Sequence, residues 1–221
     1  MAAELPVVFA VDRAGLVGDD GPTHHGAFDL SYLRVIPNMT VMAPSSLEEL
    51  QRMLRTALEL DGPAAIRYPR GMAAPFVQPR TIEPLPVGRG VIVQEGRAVA
   101  RVGIGTGVGI AVEAAALLEA QGERPTVVDA RFVKPLDEEL LLELAATHKR
   151  LVTVEENALA GGFGSAVLEK VGALVPVMRF GLPDAFVPHG DRARLLQDIG
   201  LTPQAVALAA AVRPASLARV K

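Results

Sequence analysis

The stretch LPVVFAVDRAGLVGDDGPTHHGAFDLSYLR, residues 5–34, joins an apolar run to a loop rich in glycine and titratable side chains. The apolar run, residues 5–11, does not alternate with polar residues, so it predicts a strand buried on both faces. A later short strand is predicted over residues 64–68, after a helix. Strand, loop, strand, helix and strand over this first part of the chain indicate an α/β fold with a parallel sheet.

Capping and breaking residues delimit the predicted helix. Ser45 and Ser46 each have a glutamate three residues further on, which is the pattern of a capping box. Gly62 and Pro63 end the helix. Apolar residues at spacings of three and four predict its buried face, which consists of Leu47, Leu50, Met53, Leu54, Ala57 and Leu58.

A change in composition divides the chain. Several prolines without helical or strand periodicity predict a linker over residues 75–90. It separates a first domain, residues 1–74, from a second, residues 91–221. The stretch GVIVQEGRAVARVGIG, residues 90–105, predicts two strands that turn at Glu95 and Gly96.

The second domain is also predicted to be α/β, because helical periodicity alternates with apolar runs. Asp137 is expected to cap a helix that ends near Ala146, and a glycine-rich turn opens another helix near Ser165. Further strands are predicted over residues 125–130, 151–155 and 177–180, a further helix over residues 110–121, and two helices at the end of the chain.

Composition limits the classes of partner. The chain has 221 residues, half of them hydrophobic, and a formal net charge of −3, so we expect neither nucleic acid nor an anionic membrane as a partner. Zero cysteines exclude disulfides and thiolate sites and fit a cytoplasmic protein. The start MAAELPVV lacks the basic segment of a secretory signal, and no apolar run approaches the ~20 residues that span a bilayer.

The loop after the first strand occupies the position where open α/β sheets bind ligands. Its four glycines allow close backbone approach, and Asp20, His24 and His25 can exchange protons near neutral pH. Arg13 and Arg70 follow two strands that we expect to be neighbours, so both guanidinium groups can converge on one anion such as a phosphate. In the alternative interpretation, Arg13 pairs with a local acid, the glycines only make turns and the histidines are solvated.

Two further motifs are weaker. VGIGTGVGIAVEAA, residues 102–115, resembles a dinucleotide fingerprint, but Val108 stands where the third glycine is required, so a tight turn is the better prediction. In VEENALAGGFGSAV, residues 154–167, the acids Glu155 and Glu156 serve catalysis, cap a helix dipole or face a partner subunit. The isolated His148 and His189 have no metal-ligand spacing, and no metal site is predicted.

Four segments together resemble the 1-deoxy-D-xylulose-5-phosphate synthases, within the transketolase-like superfamily of thiamine-diphosphate enzymes. They are DRAGLVGDDGPTHHGAFDLSYLR, MAPSSLEEL, GPAAIRYPRG and VEENALAGGFGSAV. Transketolases and the β subunits of 2-oxo-acid dehydrogenases share the layout but differ around Arg13. The resemblance implies the second half of a pyrimidine-binding-type domain followed by a transketolase C-terminal-type α/β domain.

The resemblance also implies a reaction and residue roles. These enzymes use thiamine diphosphate and magnesium to decarboxylate pyruvate and condense it with glyceraldehyde 3-phosphate, in the biosynthesis of isoprenoid precursors, thiamine and pyridoxal. Arg13 and Arg70 are then substrate-binding residues that hold the acceptor's phosphate. His24 transfers protons as a catalytic residue, and Asp20 binds acceptor hydroxyls or orients His24. Homodimers are usual in the family.

The sequence departs from the family pattern at the cofactor. The family's metal-binding GDG motif with its later asparagine, its activating glutamate and its stacking aromatic residue have no counterpart here, so no cofactor-binding or metal residue is predicted. We therefore expect the chain to need a missing N-terminal part for activity, and an unpaired sheet edge near residues 5–11 to favour association. The alternatives are the C-terminal subunit of a split transketolase and a non-catalytic assembly module.

Overall fold

The computed structural model describes residues 5–71 and 81–211. Its strands are β1 (Val8–Val11), β2 (Thr40–Met42), β3 (Ala64–Arg67), β4 (Val91–Gln94), β5 (Val99–Gly103), β6 (Thr126–Asp129), β7 (Phe132–Lys134), β8 (Arg150–Ala158) and β9 (Val177–Leu182). Its helices are α1 (Asp29–Arg34), α2 (Leu47–Leu58), α3 (Gly107–Glu119), α4 (Glu138–Thr147), α5 (Phe163–Val171), α6 (Arg192–Asp198) and α7 (Pro203–Ala211). None of the helices in these ranges is both long and apolar enough to cross a membrane.

The first sheet has the strand order β1-β3-β2-β7. β1 and β2 both run parallel to β3, which confirms the predicted parallel sheet and the predicted adjacency of the strands that precede Arg13 and Arg70. β7 pairs antiparallel with β2. The sequence did not predict this strand, which comes from the part of the chain that follows the linker.

β1 lies at the edge of the first sheet, and its predicted burial on both faces is wrong. Phe9 is 46% exposed and Val7, just before the strand, is 42% exposed. Nothing in the described residues covers the outer side of β1, because no further strand pairs with it there. The expectation of an exposed apolar edge near residues 5–11 is confirmed.

Helix α2 begins as predicted but buries a narrower face. Ser46 caps it by accepting the backbone N–H of Glu49 at 3.1 Å, whereas Ser45 donates to Asp129. Met53 is fully buried. The predicted burial of Leu54 and Leu58 is wrong, because α2 packs on one face of β3 and leaves these two side chains toward solvent.

The second sheet has the order β4-β6-β5-β8-β9, in which only β4 runs antiparallel to its neighbour. The turn expected at Glu95 and Gly96 does not join paired strands, because β6 lies between β4 and β5. Gly96 packs against the backbone of Pro125, where an added Cβ would be 2.2 Å from the carbonyl carbon. The prediction of a hairpin at this turn is therefore wrong.

Helix α1 was not predicted, whereas the remaining elements of the second part of the chain follow the prediction with shifted ends. Asp137 caps α4 by accepting the backbone N–H of Leu140 at 3.1 Å. α3 begins at Gly107 rather than residue 110, and β8 extends to Ala158. One apolar cluster includes Val41 and Ala65 of the first sheet and Ala100 and Val128 of the second. The two sheets therefore share a core.

Residues 75–80 of the predicted linker, 75–90, lie outside the described residues, whereas residues 81–90 are described. Its described part includes Leu85, which is 3% exposed, and Gly88, which packs against Pro135. The domain boundaries at residues 74 and 91 stay a prediction.

Candidate anion-binding site

The loop between β1 and α1 is held against the end of β3 by its own backbone. The N–H of Ala14 donates to Tyr68 O at 3.0 Å, and the N–H of Gly26 donates to Arg13 O at 3.0 Å. An alanine at position 26 would place its Cβ 2.4 Å from Arg13 O, so only glycine fits. Arg13 adopts a positive φ of 59°, which is uncommon for a residue with a side chain. This backbone directs Arg13 toward the turn that follows.

Arg13 and Arg70 converge on the same carboxylate oxygen. Asp20 ends a 3-10 turn, Gly18–Asp20, and its Oδ2 lies 3.6 Å from Arg13 Nη1 and accepts a hydrogen bond from Arg70 Nη1. The hydrogen bond from Arg70, together with the positive charges of Arg70, Arg13 and His24, lowers the pKa of Asp20. The site therefore presents two partly exposed guanidinium groups directed at one negative charge.

His24 lies in the same loop and is exposed. Its Nδ1 is 3.0 Å from Thr23 Oγ1, and its backbone N–H donates to Gly21 O at 3.0 Å. Among the described residues no hydrogen bond or ion pair joins His24 to Asp20, whose carboxylate contacts the two arginines. The loop and the segment after β3 thus bring the four residues predicted for the site into one region.

The adjacent His25 has a different environment. Its Nδ1 accepts the backbone N–H of Val17 at 3.1 Å, and its Nε2 lies 3.3 Å from Pro188 O. Since Nδ1 accepts, the ring proton is assigned to Nε2, which donates to the Pro188 carbonyl. His25 connects the loop to the segment between β9 and α6.

Arg67, which the sequence interpretation missed, holds the base of the loop. It is 3% exposed; its guanidinium donates to Asp29 Oδ2 at 3.3 Å, to Glu156 O at 2.7 Å and to Gly26 O. Asp29 also accepts from Tyr32 Oη at 3.1 Å, and burial, followed by the negative charge of Asp29, raises the pKa of Tyr32. The signal in the sequence was a charged residue at the end of an otherwise apolar strand.

Glu155 and Glu156 are both fully buried but have separate roles. Glu155 accepts the backbone N–H groups of Phe163 and Gly164 at 2.7 Å each, so it caps α5 as one of the alternatives predicted. Burial is the main cause that raises its pKa to about 7. Because neither carboxylate reaches the surface of this chain, the alternative that they face a partner subunit is wrong.

Glu156 instead binds the site loop. Its carboxylate accepts the backbone N–H of Leu16 at 2.7 Å, the hydroxyl of Thr106 at 2.8 Å and Arg192 Nη2 at 2.5 Å. β5 and β8 are the neighbouring parallel strands where chain connections diverge, which is the usual ligand crevice of such a sheet. Here Leu16 packs in the apolar cluster that includes Val154 of β8. The protein's own loop therefore fills that crevice.

The glycine motif at the end of β5 forms a tight turn, as predicted. An added Cβ at Gly107 would be 2.2 Å from Val154 O, and one at Gly103 would be 2.6 Å from Val108 Cα. This close packing leaves no space for a dinucleotide phosphate against the turn. The prediction of a structural turn is confirmed.

The acids and histidines of the described residues are dispersed. Within residues 5–71 and 81–211, no group of three or more His, Cys, Asp or Glu side chains could hold a metal ion.

Asn157 is fully buried, with its amide bonded to Leu30 N, Ser31 Oγ and Ala158 O. His148 contacts Thr126 Oγ1 at 2.8 Å.

Two family descriptions match successive parts of the chain. Residues 88–206 match the family described as "Transketolase, C-terminal domain", and residues 2–75 match "Transketolase, pyrimidine binding domain". The chain belongs to the transketolase family. For this transketolase-family chain, the predicted order of a partial pyrimidine-binding-type domain followed by a transketolase C-terminal-type α/β domain is confirmed.

Curated relatives of the transketolase-family chain are 1-deoxy-D-xylulose-5-phosphate synthases. The one from Heliobacterium modesticaldum is 54% identical over 205 residues, which cover 91% of this chain and 32% of that protein. The one from Symbiobacterium thermophilum is 55% identical over 206 residues, 92% of this chain and 32% of that protein. The resemblance to these synthases is confirmed, and the chain spans about a third of their length.

Solved structures agree with the family. A structure described as "Split gene transketolase, inactive beta4 tetramer" has a TM-score of 0.79 and 36% identity, and the match covers 93% of this chain and 65% of that one. A transketolase from Campylobacter jejuni has a TM-score of 0.68 at 19% identity, covering 90% of this transketolase-family chain and 30% of that chain. This second likeness concerns the fold alone.

Proposed function

We propose that this chain is the part of a 1-deoxy-D-xylulose-5-phosphate synthase that binds the acceptor substrate. The enzyme would condense pyruvate, with loss of carbon dioxide, with glyceraldehyde 3-phosphate. The observation that carries the proposal is the convergence of Arg13 and Arg70 on one oxygen of Asp20. Two guanidinium groups directed at one anionic oxygen are well suited to bind the phosphate of the acceptor.

The four site residues then have distinct roles. A bound phosphate takes the place of the Asp20 carboxylate between Arg13 and Arg70. That carboxylate becomes available to the hydroxyl groups of the acceptor or to His24. With the phosphate fixed, the aldehyde carbon is held in position for bond formation. His24, which is exposed beside the turn, donates a proton to the alkoxide that develops on the aldehyde oxygen.

Thiamine diphosphate and magnesium do not fit the donor set of the described residues. A metal bound to diphosphate prefers several oxygen ligands, and here the buried acids are already bonded within the fold. Asn157 likewise has partners for its whole amide. We therefore assign the cofactor and metal ligands to polypeptide outside this chain, in the part of the relatives that the chain does not span.

A requirement for further polypeptide is part of the proposal. The exposed apolar edge at β1 supports it, since an unpaired strand with Phe9 toward solvent favours association. The split-gene neighbour supports it too. Its description gives a beta4 tetramer of a split-gene transketolase as inactive. We propose that this chain is inactive alone, acts with the N-terminal portion in a homodimeric assembly, and works in the cytoplasm. Its product would serve isoprenoid precursor, thiamine and pyridoxal biosynthesis.

The second candidate is the C-terminal subunit of a split transketolase, which the same neighbour favours at 36% identity. The two functions differ in the donor substrate. A transketolase takes a two-carbon unit from a ketose phosphate, whereas the synthase takes its unit from pyruvate. Both transfer the unit to a phosphorylated aldehyde, so the arginine pair serves either.

The deciding experiment is reconstitution. The chain is mixed with the upstream two thirds of a relative, thiamine diphosphate, magnesium and glyceraldehyde 3-phosphate, with either pyruvate or a ketose phosphate as donor. Deoxyxylulose phosphate formed from pyruvate, detected by mass spectrometry, supports the synthase, and product from the ketose phosphate alone supports the transketolase. Stable association without product from either donor contradicts both and supports an assembly module. The Arg13→Ala/Arg70→Ala double variant is the control for specific turnover.

A further inference from the structure

The segment between β9 and α6, together with the first residue of α6, runs beside the site loop and contacts it at three places, two on the loop backbone and one on the His25 ring. Gly190 N donates to Gly18 O at 3.2 Å, and Arg192 Nε donates to Leu16 O at 3.0 Å. Pro188 O lies 3.3 Å from His25 Nε2. The loop that carries the anion site is therefore shaped by residues more than 160 positions later in the sequence.

Leu16 is held in this contact through both its backbone N–H and its carbonyl. Its N–H donates to the buried carboxylate of Glu156, and its carbonyl accepts from Arg192. Arg192 also donates to that carboxylate through Nη2 at 2.5 Å. One arginine thus holds both the carbonyl of Leu16 and the acid that holds its N–H.

Arg192 is itself held in place. It is the first residue of α6, where Asp191 caps the helix by accepting the backbone N–H of Arg194 at 2.9 Å. On the other side, Gly18 has a φ of +68° and an added Cβ there would be 3.0 Å from Gly190 O. The turn Gly18–Asp20 therefore begins two residues after Leu16, in direct contact with the segment that ends at Arg192.

We propose that Arg192 is a positioning residue for the anion site: by fixing Leu16 against Glu156, it sets the turn that carries Asp20 opposite Arg13 and Arg70. Arg192 lies outside the group of residues that contact the bound anion in the proposed function. The inference deepens that proposed function, on which it rests for its kinetic consequence. The positional consequence concerns Asp20 and is measurable without any turnover.

The first test follows the titration of the Asp20 carboxyl by carbon-13 NMR in the full 221-residue chain. In the unsubstituted chain we expect its pKa below the usual range, because Arg70 and Arg13 contact it. Arg192→Ala should move that pKa upward toward the usual value, since the turn no longer holds Asp20 against them. Arg194→Ala is the matched control: it removes the same charge from the same helix, and Arg194 pairs with Asp198 instead.

Arg192→Lys tests the geometry separately from the charge. A lysine keeps a positive charge opposite Glu156. Its single ammonium group, however, lacks the separate Nε donor that Arg192 directs at Leu16 O. An upward shift of the Asp20 pKa in Arg192→Lys that is smaller than the shift in Arg192→Ala supports the proposal. If Arg192→Ala does not fold, the comparison of Arg192→Lys with the unsubstituted chain is sufficient. An Asp20 titration that is the same in Arg192→Lys and in the unsubstituted chain overturns it.

The kinetic consequence is measured in the reconstituted enzyme. Arg192→Ala should raise the KM for the phosphorylated aldehyde several-fold and change the KM for pyruvate less than twofold. Equal changes in both KM values overturn the positioning role at the phosphate. If the reconstituted enzyme shows no turnover, the proposed function fails, while the NMR shift of Asp20 still supports or overturns the role of Arg192.

Discussion

Gly15 lies against the side chain of Glu156 with no room for a β-carbon between them. An added Cβ would be 2.5 Å from both Cδ and Oε1 of Glu156, and the φ of Gly15 is +74°. The buried acid and the glycine are 141 positions apart, yet the position of the Glu156 carboxylate leaves room only for glycine at position 15.

Gly15→Ala should therefore destabilise the fold. The new methyl group both clashes with a buried carboxylate and occupies a strained φ, so we expect the free energy of unfolding to fall by about 2 to 4 kcal/mol. Gly109→Ala is the control, because Gly109 lies in α3 with nothing within 4 Å of an added Cβ. It should be neutral or stabilising by up to ~1 kcal/mol. Urea denaturation of both variants measures the difference, and equal stabilities would contradict the clash.

Arg70→Ala should weaken acceptor binding selectively. Removal of a charge-assisted hydrogen bond to phosphate is expected to raise the KM for the phosphorylated aldehyde about tenfold or more, and the KM for pyruvate far less. Steady-state kinetics in the reconstituted enzyme measure both. Arg55→Ala is the control, because Arg55 pairs with Glu59 on the exposed face of α2, away from the site loop. Equal changes for both substrates would exclude the phosphate role.

His24→Ala should slow the condensation and leave substrate binding largely intact. Loss of a positioned proton donor typically costs about 10² to 10⁴ in rate. Single-turnover measurement of carbon–carbon bond formation reports that step, and the KM values of both substrates report binding. An unchanged turnover number would remove His24 from the mechanism.

Glu155→Gln should alter the pH dependence of stability. Burial raises the pKa of Glu155 from 4.5 to about 7, so between these values the folded chain keeps a proton that the unfolded chain releases. The contribution of Glu155 to the free energy of unfolding is therefore fully present below about pH 4.5 and is lost as the pH rises through about 7. Relative to Glu155→Gln, the unsubstituted chain should lose a few kcal/mol between about pH 5 and about pH 8.

Urea denaturation at both pH values measures this difference. Glu169→Gln is the comparison, because Arg34 lowers the pKa of Glu169 and its contribution has the opposite sign, present at high pH and lost in acid. If the unsubstituted chain instead gained stability relative to Glu155→Gln as the pH rises, burial would not be the dominant cause of the Glu155 shift.

Arg101→Met should stabilise the chain. Arg101 lies on β5 with no exposed area, and none of its guanidinium nitrogens has a hydrogen-bond partner among residues 5–71 and 81–211. Burial lowers its pKa to about 10, against the opposing charge of Glu123, so it stays charged at neutral pH. Replacing an unpaired buried charge by an apolar side chain of similar length should raise the free energy of unfolding by about 1 to 4 kcal/mol. Arg97→Met, at an exposed position, should change it by less than about 0.5 kcal/mol. A loss of stability in Arg101→Met would contradict the absence of hydrogen-bond partners for the Arg101 guanidinium.

Local signals in the sequence predicted local structure well. Ser46 and Asp137 precede glutamate-rich helix starts, and both cap their helices. The apolar runs before Arg13 and Arg70 became adjacent parallel strands, which brought both side chains to Asp20. Each of these outcomes depends on a few neighbouring residues or on the rules of parallel sheets.

Contacts between distant segments were beyond the sequence patterns. Glu155 and Glu156 are adjacent and chemically alike, yet one caps α5 and the other holds Leu16, because alternate residues of β8 point to opposite sides. The apolar run 5–11 cannot report whether a further strand covers it. The place of β6 between β4 and β5 likewise depends on packing that the turn at Gly96 does not encode.

The three residues of β7 come from the later part of the chain but complete the sheet of the earlier part. Neither half therefore contains every strand of the first sheet. We expect the segments of both family matches to fold together, because loss of β7 would expose β2 as a new edge. The shortest segment that holds the complete first sheet therefore runs from β1 to β7, across both family matches.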